Sequence, residues 1–187
     1  MITLDDIKHL VKDLPPSEVE RAVKFNKMAK DEAIISFKLF IEQNKLPRQI
    51  FLRGYDAMFA SAALFLAKKY NIKLDETMGS THKNMRKVLS FYTKDTKQHE
   101  RLIDLYEKAI EKFQALNEQY RNGEHFADRV VDDLINEGFY QGKKINYYGE
   151  ANPQRKDPLE LIIDDAKSFI SDVVEPFLFI MENLTDD

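Results

Sequence analysis

Cysteine and tryptophan are absent from these 187 residues, and glycine and proline occur only six times each. Without cysteine there can be no disulfide scaffold, no thiolate zinc site and no thiol nucleophile, and the usage fits a cytoplasmic location. So few glycines and prolines leave little material for a chain of many turns, which favours long helices. The opening MITLDDIKHLVKDL has acids where a signal peptide carries basic residues, and no apolar run follows it. The most apolar stretch, IFLRGYDAMFASAALFLA (50–67), contains Arg53 and Asp56, so it reads as a buried helix and no membrane association is expected. Glycine-rich phosphate loops of the Walker type and GxSxG are also missing. A di-iron bundle needs Glu-x-x-His twice, and only Asp6 with His9 comes close. No metal and no cofactor is expected.

What is present suffices for one domain with a core: hydrophobic residues are 43% of the chain and charged residues 32%. The net charge of −4 is unevenly spread. Residues 1–46 are balanced, residues 47–101 hold 11 basic against 5 acidic side chains, and residues 102–187 hold 9 against 19. A basic middle suits phosphate, although long helices also carry charge on their wet faces.

Helical spacing dominates. A short helix over 4–14 should stop at Pro15-Pro16. The SEVE that follows reads as a capping box, Ser17 capping and Glu20 reaching back, at the head of a helix over 17–44. LPRQ breaks it. The next helix, 48–70, is apolar nearly all round and belongs at the centre of a bundle. NIKLDETMGS is a loop, and STHKNMRKVLSFY (80–92) a short basic helix capped by Ser80 or Thr81. Further helices are expected over 96–121 and 125–137. FYQGKKINYYGEANPQRKD (139–157) is a long irregular segment of a kind that is often functional. The last helix begins at Asp157-Pro158-Leu159-Glu160, and Pro176 should kink it. No strand-period run stands out, so the expected fold is all-α: an up-and-down bundle of about five to seven helices in a single domain, 1–187.

Three stretches together resemble the HEPN superfamily of helical nucleotide- and RNA-binding proteins. EVERAVKFNKMAKDEAIISFKLFIEQNKLP is similar to that family's opening helix. LRGYDAMFASAALFLAKKYNI followed by THKNMRKVLSF looks like its tyrosine- and alanine-rich central helix, short loop and Thr-His start. DPLELIIDDAKSFISDVVEPF is similar to its closing helix. The resemblance spans roughly residues 17–180 and rests on pattern more than on invariant motifs. It implies a bundle around an antiparallel helix pair, usually in a homodimer. Some members are metal-independent endoribonucleases of toxin–antitoxin or phage-defence type, some paired with a nucleotidyltransferase. Others bind nucleotide, RNA or a protein partner without catalysis.

The ribonuclease signature is an Arg, often followed by Asn, and then a His. In NEQYRNGEHFADRVVDDL (117–134) it would fall on Arg121, Asn122 and His125, with an interval of only three residues, shorter than the family's usual spacing. Arg121 would then hold the scissile phosphate and His125 act as acid or base. RNA cleavage without metal needs both a base for the 2′-hydroxyl and a cation for the developing charge. The alternative is a helix ended by Gly123, with Glu124 and Asp128 pairing with the arginine or the histidine. His82, Lys83, Arg86 and Lys87 are the candidate substrate-binding residues, the cations forming a phosphate-contacting face. Against this, His82 suits a packing role at a helix start, and the cations a solvated face. Arg53 and Asp56 read as a structural pair inside the apolar helix, or as part of a ligand pocket.

Overall fold

The computed structural model describes residues 2–79, 81–121, 139–140, 143–144 and 158–186. The fold is an all-α bundle. Helix α1 is Leu4–Ile7, followed by strand β1 at Val11–Asp13. The long pair α2 (Pro16–Glu42) and α3 (Pro47–Tyr70) comes next, then β2 (Ile72–Leu74), a 3-10 turn at Glu76–Met78, α4 (Thr81–Thr93) and α5 (His99–Arg121). Two short strands, β3 (Phe139–Tyr140) and β4 (Lys143–Lys144), pair with each other. The chain closes with α6 (Pro158–Phe169), a π-helical turn at Ile170–Val174, and α7 (Glu175–Asp186).

The short link between α2 and α3 makes them antiparallel neighbours, and they form the most extensively packed pair. Asn44 and Leu46 turn the corner with φ of 49° and 52°, and Pro47 opens α3 with its φ already helical. Helix α3 is the centre, as its all-round apolarity predicts. Ile50, Phe51, Tyr55, Met58, Phe65 and Leu66 are among its buried side chains, and α4 to α7 pack against it. Among the described residues it alone is long and apolar enough to cross a membrane, yet most of it is covered by other helices. It ends at Asn71, which is left-handed (φ 55°) and returns its N–H to the Leu66 carbonyl.

Several expectations need correction. The helix over 4–14 stops at Ile7, and β1 pairs antiparallel with β2: Val11 opposite Leu74, Lys12 opposite Lys73 and Asp13 opposite Ile72. Pairing with β2 holds residues 11–13 extended, and Pro15 pushes Leu14, the residue before it, away from helical geometry. Ile7, Leu10 and Leu14 are all buried, so their helical spacing is real but is met by a turn and a strand. The segment expected as a plain loop thus holds β2, and the 139–157 segment holds β3 and β4. Helix α2 begins one residue before the expected capping box. Pro16 takes the first helical position behind Pro15, and no side chain caps the end. The kink at Pro176 appears as the π turn just before it, where the Glu175 N–H reaches back five residues to the Ile170 carbonyl. A widened turn absorbs the backbone donor that proline lacks. The helix expected over 125–137 lies outside the described residues.

Candidate functional site

Three helices bring a ring cluster together. Tyr55 sits midway along α3, His82 in the first turn of α4, and Tyr106 and Phe113 on α5. The Tyr55 hydroxyl lies 2.6 Å from His82 Nδ1 and 3.3 Å from the Tyr106 hydroxyl. His82 meets Tyr55 and Phe59 edge-on, and its ring centroid is 4.6 Å from that of Phe113. Burial pushes both phenols well above their ordinary range, so they remain neutral donors. Burial also lowers the His82 pKa, against a smaller opposite pull from Asp56. A neutral His82 accepts from the Tyr55 O–H at Nδ1, which places its own proton on Nε2. Tyr106 then donates to Tyr55. The packing role expected for His82 is present, and its partner is a buried tyrosine.

This arrangement makes stability depend on pH. The folded His82 pKa lies below the value of 6.5 for a free side chain. Above that value both states are neutral. As pH falls through it the unfolded chain takes up the proton first, so stability drops until the folded pKa is reached. Burial raises the Asp56 pKa, which works in the opposite sense and only in the carboxylate range. The thermal midpoint should therefore fall between about pH 7.5 and pH 5.5. His82→Gln should remove that component. An unchanged pH dependence in the variant would mean that His82 does not carry it.

Next to Tyr55 in the chain, Asp56 accepts from Arg53 at 3.0 Å. The pairing was expected together with burial, but both side chains are about half exposed, because positions three apart share one side of α3 and that side faces a groove. The groove is a cavity of about 1070 Å³ between α2 and α3. Arg21, Lys24 and Phe25 of α2 line it, with Arg53, Asp56 and Phe59 of α3 and Lys73 of β2. Ala29, Ala33, Ala60 and Ala63 also line it and keep it wide. Glu18 pairs with Lys73 at 3.8 Å, whereas Arg21 and Lys24 form no ion pair among the described residues. Phe59 joins the two features, since it lines the groove and packs against His82.

The other sequence candidates are dispersed. Lys83 and Lys87 are exposed on α4. Arg86 is engaged with Glu107 of α5, which makes it a strut between helices and takes it out of the expected phosphate-contacting face. Asp6 of α1 has its carboxyl held low mainly by hydrogen bonds from Thr3 and partly by Lys87. Arg121 is the last residue of α5, while Asn122 and His125 lie outside the described residues. No group of three or more possible metal ligands occurs among the described residues. Sequence reasoning missed the Tyr55–His82–Tyr106 chain and the position of Arg21 and Lys24 at the groove. The only signal available was tyrosine interrupting two otherwise apolar helix faces. Compared with family models, with curated proteins and with solved structures, the chain matches none.

Proposed function

We propose that the protein is a HEPN-like helical module that binds a nucleotide, free or within RNA, in the groove between α2 and α3. The observation that carries this is the groove itself. It is large enough for a mononucleotide, mostly apolar along its walls, and rimmed by two cations that form no ion pair among the described residues. Phosphate would sit against Arg21 and Lys24, and a base against Phe25 or Phe59. Asp56 accepts from base N–H groups at the same wall. The antiparallel α2–α3 pair with α3 at the bundle centre supports the HEPN reading. Titration calorimetry with ATP, GTP and AMP tests it. Arg21→Ala with Lys24→Ala is expected to weaken binding at least about tenfold, or on the order of 1.4 kcal/mol, and to flatten its salt dependence. Equal affinity in the variant would move the ligand elsewhere, and no binding to any of the three would remove the reading.

A second reading is the metal-independent endoribonuclease of toxin or defence type. The observation favouring it is that α5 runs to Arg121, which puts the signature arginine at a helix end. Its test is cleavage of RNA in EDTA by the wild type, Arg121→Ala and His125→Ala. Products ending in 2′,3′-cyclic phosphate, lost in both variants, would establish it. Absent or equal cleavage by all three would leave the binding module alone.

A further inference from the structure

The charged side chains that line the groove differ between its two ends. Helix α2 stops at Glu42 and the antiparallel α3 starts at Pro47, so each position has a height above this link. At about 1.5 Å per residue, Arg53 stands roughly 9 Å above it, Asp56 roughly 14 Å and Glu32 roughly 15 Å, whereas Lys24 stands roughly 27 Å and Arg21 roughly 32 Å above it. Glu18 lies at the upper end too, but it is paired with Lys73. The lower end thus presents carboxylate and the upper end cations. Arg53, Asp56 and Phe59 follow one another at intervals of three, so they stand on one side of α3 in that order. Arg53 donates to Asp56 Oδ2, and no hydrogen bond among the described residues reaches Oδ1. A carboxylate has lone pairs for further donors.

We propose that Asp56 and Arg53 read the base of the bound nucleotide and select guanosine triphosphate over adenine nucleotides and over monophosphates; this rests on the nucleotide reading above. The Watson–Crick edge of guanine carries two adjacent donors, N1–H and the N2 amine, beside the O6 acceptor. Asp56 accepts from both donors, Arg53 donates to O6, and the purine lies on the Phe59 ring. Adenine offers one donor next to a bare N1, so it makes fewer of these bonds. The length of the ligand follows from the same geometry. A purine's Watson–Crick edge and its ribose lie on opposite sides of the base. With the edge at Asp56, the ribose points up the groove toward Lys24 and Arg21. Asp56 and Lys24 are separated by roughly 13 Å along the helices, and side chains lean toward the N-terminus of their own helix, which draws these two further apart in an antiparallel pair. A triphosphate covers that separation, and a monophosphate ends short of the cations. The reverse orientation would set phosphates against Asp56 and Glu32.

Titration calorimetry on the whole chain with GTP, ITP, ATP and GMP tests it. GTP should bind tightest, with ATP and GMP each weaker by at least about tenfold. ITP keeps N1–H but lacks the amine, so it should fall between GTP and ATP. Asp56→Asn gives the chemical control. Its amide donates where the carboxylate accepted, so GTP should weaken at least about tenfold while XTP, which has a carbonyl in place of the amine, binds more tightly than it does to the wild type. Asp56 is about half exposed, so the variant should keep the circular dichroism of the wild type. ATP or GMP binding as tightly as GTP, or an Asp56→Asn variant that binds GTP and XTP as the wild type does, would overturn the proposal. Those results would leave the nucleotide reading in place as long as Arg21→Ala with Lys24→Ala still loses affinity. No binding of any nucleotide by the wild type would overturn both.

Discussion

Gly54→Val is expected to cost about 3 kcal/mol or more, and Gly54→Ala about 1–2 kcal/mol. Gly54 lies within α3, opposite the end of α6 and the π turn. A Cβ built there would stand 2.6 Å from Ile170 Cδ1, 3.0 Å from Val174 Cγ2 and 3.2 Å from Phe169 Cε1. The glycine is present for space, since its φ is not among the positive values. Two effects oppose each other in alanine. Helix propensity gains about 1 kcal/mol, and the close contact costs more. Ile170 Cδ1 is the end of a flexible side chain and can yield, but Ile170 is itself buried and has little room to enter. Valine adds two further methyls facing the same wall, with no compensating gain. The denaturant midpoint should fall in the order wild type, alanine, valine, with the slope unchanged. Ile170→Val should recover part of the alanine loss when combined with it, since the two sites are in contact. A valine variant as stable as the wild type would mean that α3 and the π turn do not approach this closely.

How much of this was legible beforehand depends on how local the cause is. Pro16 and Pro47 mark the starts of α2 and α3 within a residue or so, because a proline at the first helical position is a local signal. The all-round apolarity of residues 48–70 placed α3 at the centre, because burial on every side leaves no other composition. The N-terminal segment was misread because Ile7, Leu10 and Leu14 satisfy a helical period, whereas what fixes residues 11–13 is pairing with residues about sixty positions away. Pro176 announced a break, but only the backbone could show that a π turn would make it. Arg53 and Asp56 were recognised as a pair, yet their exposure depends on the groove beside α2. The candidate site is the least legible part. Tyr55 meets His82 across 27 positions and Tyr106 across 51, and nothing local in the sequence indicates that these three converge.

That convergence yields the second large effect. Tyr55→Phe is expected to destabilise the protein by about 2–4 kcal/mol, several times more than Tyr106→Phe. The Tyr55 oxygen is the middle of the chain. It gives its proton to His82 Nδ1 at 2.6 Å and faces the Tyr106 hydroxyl at 3.3 Å. Removing it leaves two polar groups without a partner, and one of them, the Tyr106 hydroxyl, is fully buried. A buried orphan costs more than the bond it replaces was worth. Tyr106→Phe removes the end of the chain instead. Tyr55 keeps its short bond to His82 and loses only the longer contact, so the cost should stay below about 1 kcal/mol. The double variant sharpens the argument. Once Tyr106 is phenylalanine, removing the Tyr55 hydroxyl no longer orphans a buried group, so the pair should be no less stable than Tyr55→Phe alone. Denaturation of the three variants reads this directly. Tyr106→Phe matching Tyr55→Phe, or costs that simply add, would mean that the hydroxyls act independently.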